Sequence, residues 1–184
     1  MDIKQVIPGY GYENEAQAHH TDETICRIVI QKLREFKQTI FRLRNFLYEL
    51  QLDDKLDLQP LWDEADIFSD EVKLRVCRWK PLPAIWQKRL ERADRELLEA
   101  VEQLESQGKE LFDLIFGKLK RNGRVKLMPQ LYERFWGECR KKAEELEKQL
   151  ERTVKLFKKR DVLCNLKPLS LQKTLELFER KWSE

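Results

Sequence analysis

Glycine and proline are scarce in this chain, six of each among 184 residues, where an average protein has a combined share of roughly 12%. Sandwiches and barrels need a turn about every ten residues, so the scarcity argues against them and against a doubly wound sheet. The few glycines are scattered and build no phosphate-binding loop and no nucleophile elbow. Histidine is limited to His19 and His20. The four cysteines, Cys26, Cys77, Cys139 and Cys164, form no C-x-x-C pair and sit among apolar or helical neighbours. They read as small buried thiols rather than a disulfide frame or a metal clip. Long apolar runs are also missing, with nothing near the ~20 residues needed to span a bilayer. The first fourteen residues include Asp2 and Glu13 and have no apolar core of signal-peptide length. A soluble, intracellular protein is expected.

Charge and aromatic residues are abundant instead. Charged residues make up 38% of the chain, against about 25% on average. Nine Phe, five Trp and four Tyr supply enough large apolar surface to argue against wholesale disorder. The net charge of +3 hides segregation. Residues 27–44 carry six basic groups against Glu35, and residues 53–71 carry eight acidic groups against Lys55. Residues 118–126 hold five basic groups and no acid. Blocks separated by more than a Debye length of about 8 Å act independently of the total.

Apolar spacing predicts helices. Residues 1–22 read as a polar lead-in, with a turn at Pro8-Gly9 and Thr21 as the cap of a helix over 23–52. In that helix Val29, Leu33, Phe36, Ile40, Leu43, Leu47 and Leu50 step by 4 and 3, an unbroken heptad seam. Arg27, Arg34, Lys37 and Arg44 form a cationic stripe beside it, against which the acidic block can lie. Residues 53–83 read as an acidic, Trp- and Pro-bearing joint with a short helix capped by Ser69. A long helical hairpin over 84–160 follows, opened by Pro83 and turned at Asn122-Gly123. Leu97, Val101, Leu104, Gly108, Leu111 and Ile115 line its first arm, and Phe135, Cys139, Ala143, Leu146, Leu150, Val154 and Phe157 its second. Residues 161–184 are expected to end the chain in a short helix capped by Ser170. The fold class is therefore all-α: an elongated antiparallel, coiled-coil-like hairpin packed with further helices into a three- or four-helix bundle.

No constellation of catalytic type is visible. The two histidines lie in a segment with no evident core face. The helix-borne carboxylates face lysines at i, i+4, as in Glu144-Lys148 and Glu151-Lys155. No catalytic residue, cofactor or metal ligand is assigned. Two binding features remain. Phe112, Phe116, Tyr132 and Trp136 widen the hairpin's apolar face beyond one antiparallel seam, which calls for a protein partner or self-association. Lys118, Lys120, Arg121, Arg124 and Lys126 crowd the hairpin tip, either as a phosphate-binding patch or as cations complementing helix ends. Arg78, Trp79 and Lys80, in the joint, offer a stacking ring between two cations, a protein hot spot or a packed junction. The expected function is a non-catalytic helical adaptor or structural subunit. A nucleic-acid-binding accessory subunit is the alternative.

Overall fold

The computed structural model describes residues 3–75, 83–121 and 129–164, with the backbone alone described at 120, 121 and 129–131. It is all-helical. The elements are α1 (Ile3–Val6), α2 (Glu15–Glu49), a 3-10 turn (Asp53–Lys55), α3 (Gln59–Lys73), α4 (Ala84–Arg121) and α5 (Pro129–Cys164). No described helix is long and apolar enough to cross a membrane.

The four long elements form a ring in which α2 packs on α3 and α4, and α5 packs on α4 and α3. Cross-helix pairs fix their directions. Lys32 meets Glu105 at 2.6 Å and Phe46 meets Phe116 at 4.9 Å, so α2 and α4 run parallel. Gln149 donates to the Ala100 carbonyl at 3.0 Å, while Lys142 lies 3.8 Å from Glu110, so α4 and α5 are antiparallel. Lys37 pairs with Asp66 and Arg75 with Asp22, which sets α3 antiparallel to α2. Consecutive helices α3 and α4 thus face each other across the diagonal of the ring. The two antiparallel arms expected of the hairpin are α4 and α5, the second running on to Cys164, and α2 and the 15-residue α3 complete a four-helix bundle; the turn expected at Asn122-Gly123 lies outside the described residues.

Helix α2 begins earlier than its spacing suggested. The cap is Asn14, whose side chain accepts from the Gln17 N–H at 2.9 Å, with Glu15 favourably placed in the first turn. Thr21 is instead buried inside the helix, where its hydroxyl accepts from the Gly11 N–H and donates to the Gly11 carbonyl, both at 3.1 Å. That clamp holds the preceding segment down. Ile3, Ile7, Tyr10 and Tyr12 are all buried, so residues 3–12 belong to the core and are not a polar lead-in. Their course turns at Pro8-Gly9, where the Tyr10 N–H reaches the Ile7 carbonyl at 3.1 Å. Gly9 has φ 75°, the left-handed value that a type II turn requires at this position.

The other end of α2 closes with the Leu52 N–H on the Leu47 carbonyl and the Gln51 N–H on the Tyr48 carbonyl, each at 2.9 Å. Gln51 takes φ 58°, the left-handed residue of a Schellman stop. The buried seam accordingly ends at Leu47, and Leu50 is exposed. Helix α3 also starts earlier than expected. Pro60 occupies its first turn, where a missing N–H costs nothing, and Ser69 is a buried residue within it rather than its cap. Leu61, Ala65, Phe68 and Val72 form its inward line. At Gly108 the Phe36 ring of α2 lies against the backbone of α4: a Cβ there would stand 2.8 Å from Phe36 Cδ2.

Candidate functional site

One end of the bundle contains a charge cluster that no apolar pattern announces. Arg160 and Asp94 are fully buried and paired through Arg160 Nε. Asp94 also accepts from both tyrosine hydroxyls, Tyr10 at 2.7 Å and Tyr12 more closely. Arg160 Nη1 reaches Asp22 at 2.5 Å, and Arg75 Nη1 grips the same carboxylate at 2.6 and 2.7 Å. Arg75 Nε then donates to Asp161. Four side chains from α2, α4 and α5, Arg75 just past the end of α3, and two tyrosines from the first segment are thereby joined.

Burial pushes the Asp94 carboxyl up, against Arg160 and the two phenols that favour its charge. Burial and the Asp94 charge both raise the phenols of Tyr10 and Tyr12. Burial opposes the charge on Arg75, yet Asp22 holds its guanidinium above the ordinary arginine range. This arrangement ties α2, α4, α5 and the first segment together at one end of the bundle. Its charged groups pair chiefly with one another, which offsets the cost of burying them, although Arg75 Nη2 is buried with no hydrogen-bond partner among the described residues.

The sequence held a signal for this cluster. Asp22, Asp94 and Arg160 occupy places where the 4-3 rhythm of α2, α4 and α5 calls for an apolar residue: Asp94 falls between Leu90 and Leu97, and Arg160 follows Phe157. Beside it, a cavity of about 490 Å³ opens between α2 and α3, lined by Cys26, Arg27, Val72 and Arg75 among others. Burial raises the thiol of Cys26, and Cys139 is pushed up to about 12, again chiefly by burial. Neither is an activated nucleophile. Among the described residues, no three His, Cys, Asp or Glu side chains are disposed to hold a metal ion.

The residues expected to bind a protein partner are placed differently from that expectation. Trp136 is fully buried, against Phe135 at 5.1 Å and Tyr132 at 6.0 Å. Phe112 and Phe116 stack at 5.2 Å and are half-buried, with Phe116 under Phe46 of α2. Phe116 thus helps to receive α2, and these four positions are buried or half-buried, forming core and its margin. Lys118 is exposed near the end of α4. Lys120 and Arg121 continue that helix, and their side chains are outside the description. Arg124, Lys126, Arg78, Trp79, Lys80 and the expected helix after Ser170 all lie outside the described residues. Of the cationic stripe, Lys37 does meet the acidic block, pairing with Asp66 and lying 5.2 Å over the Trp62 ring.

Large apolar side chains are exposed elsewhere. Phe41 is 50% and Tyr48 73% exposed on α2, one heptad apart. Ile67 is 63% exposed on α3, and Leu74, capping that helix, 80%, again one heptad apart. Between residues 24 and 48 the sole acid is Glu35, which sits 3.7 Å from Lys32. The outward side of α2 is thus basic and aromatic, and that of α3, with Asp63 and Asp70, acidic and aliphatic. No family model, curated protein or solved structure matches the chain, so its function is read from these surfaces.

Proposed function

We propose that the chain is a non-catalytic helical adaptor or structural subunit, docking a protein partner on the outward faces of α2 and α3. The observation that carries this reading is the exposure of Phe41, Tyr48, Ile67 and Leu74 on two adjacent helices whose inward faces are already filled. Aromatic and aliphatic anchors ringed by arginine and carboxylate are the composition of interface centres. The test compares immobilised wild-type chain with a Phe41→Glu/Tyr48→Glu variant in extracts of the native source. A partner retained by the former and lost by the latter, with an unchanged helical spectrum, is the expected result. Equal retention by both overturns it.

A second reading, an accessory subunit that binds nucleic acid, is favoured by the run of Arg27, Arg34 and Arg42 on α2 and by the basic sequence of the hairpin tip. It requires binding whose logarithm falls with log salt by about 0.7 to 0.9 per phosphate contact. Reversing Lys118, Lys120 and Arg121 to glutamate must then flatten that slope. Salt-independent or undetectable binding eliminates it.

A further inference from the structure

The outward lines of α2 and α3 complement each other in charge, apolar content and register. On α2, Arg27, Gln31, Arg34, Gln38 and Phe41 succeed one another at helical steps of 4 and 3, and all five are exposed. On α3 the exposed line is Pro60, Asp63, Ile67, Asp70 and Leu74, with the same alternation of steps. Within the chain the two helices run antiparallel, Lys37 lying beside Asp66 and Arg75 beside Cys26 and Asp22. That register sets Phe41 level with Pro60, Arg34 with Ile67 and Arg27 with Leu74. Gln38 and Gln31 fall level with Asp63 and Asp70.

A two-fold axis parallel to these helices exchanges α2 for α3 and leaves every residue at its own level. Two copies so related set each α2 line against the α3 line of the other, and the contact occurs twice. We propose that the partner of this face is a second copy of the chain, joined in an isologous dimer with α2 of each copy against α3 of the other. The inference rests on the docking face proposed above and names its occupant.

Arg34 then lies over Ile67 between Asp63 and Asp70, Arg27 lies over Leu74 beside Asp70, and each glutamine can donate to an aspartate. The local partners of these aspartates, Lys73 for Asp70 at 2.8 Å and Gln59 for Asp63 at 2.6 Å, are exposed contacts that offer little resistance to exchange. The face is small. Helix α3 has 15 residues, about 22 Å at 1.5 Å per residue, and two helices side by side are about 20 Å wide. The resulting area, about 450 Å² per copy, is below the roughly 800 Å² of a standard interface. The dimer is therefore weak, concentration-dependent and weakened by salt.

Sedimentation over a concentration series tests this with three samples: the wild-type chain, an Arg27→Glu/Arg34→Glu variant and an Asp63→Lys/Asp70→Lys variant. The substituted side chains are exposed, and a retained helical spectrum confirms folding. The wild-type chain is expected to dimerise, and each variant alone to associate at least about tenfold more weakly. An equimolar mixture of the two variants should recover association, because the reversed α2 of one meets the reversed α3 of the other. Wild-type chain that stays monomeric at about 100 μM, where a micromolar dimer would be nearly complete, overturns the proposal, as does a mixture that fails to recover. If the wild-type chain is monomeric while Phe41→Glu/Tyr48→Glu still abolishes capture of another protein, the second copy is the wrong occupant and the adaptor reading stands. Dimerisation and recovery with no effect of those variants on capture would support the dimer and remove the adaptor.

Discussion

Replacing Gly108 by alanine should destabilise this protein, although the same change in an exposed stretch of helix should stabilise it. Glycine inside a helix costs about 1 kcal/mol relative to alanine, so an unobstructed substitution gains roughly that much. At Gly108 the added Cβ would stand 2.8 Å from Phe36 Cδ2 and 3.0 Å from Cε2, closer than van der Waals contact. Phe36 is fully buried in the α2 seam, so its ring has nowhere to withdraw. Overpacking a filled core costs about 1–3 kcal/mol, which cancels the helix gain and leaves a net loss of up to about 2 kcal/mol. Gly137 supplies the control, because a Cβ there meets nothing within 4 Å. In a chain of this size 1 kcal/mol moves the melting temperature by about 2–4 °C. Thermal denaturation followed by circular dichroism should show Gly137→Ala rising by about that amount and Gly108→Ala falling. Combined with Phe36→Leu, which removes the obstructing ring edge, Gly108→Ala should regain a positive effect, measurable as coupling in a double-mutant cycle. Equal rises for Gly108→Ala and Gly137→Ala in the wild-type background would refute the reasoning.

Two further expectations concern the buried charges. Arg160→Met strips donors from Asp94 and Asp22, and leaving buried charge unpaired costs about 3–5 kcal/mol. Urea denaturation should show that loss with partial recovery on adding Asp94→Asn, and a loss under about 0.5 kcal/mol, the scale of a surface change, would contradict it. The phenols of Tyr10 and Tyr12 are raised in the folded state, so their contribution is intact below the unfolded value of about 10 and declines as pH climbs beyond it. A Tyr10→Phe/Tyr12→Phe variant should be less stable at neutral pH yet lose less on alkaline titration; an alkaline decline of unchanged steepness would count against the assignment.

Heptad spacing was enough to place the inward lines of α2, α4 and α5, because burial of one helical face imposes its period directly on the residues. Pro83 likewise marked the start of α4 from local chemistry alone. The opening segment illustrates what spacing could not supply. Ile3, Ile7 and Tyr10 step by 4 and 3, but over a single short helix that gives way to a turn, too brief a pattern to mark a buried segment, and only the position of Asp94, more than eighty residues away, explains why two tyrosines are wanted there. Asp94 and Arg160 were legible as charges at apolar places, but not as partners of each other or of Asp22. Phe116 was surplus to a two-helix seam, and Phe46 of α2 in the same chain proved to pack on it. Large apolar side chains are exposed instead on α2 and α3, where Phe41, Ile67 and Leu74 alternate with polar residues. A sequence records that a face must be covered; which surface covers it depends on long-range helix order, and here that order puts α3 beside α5 instead of beside its successor α4.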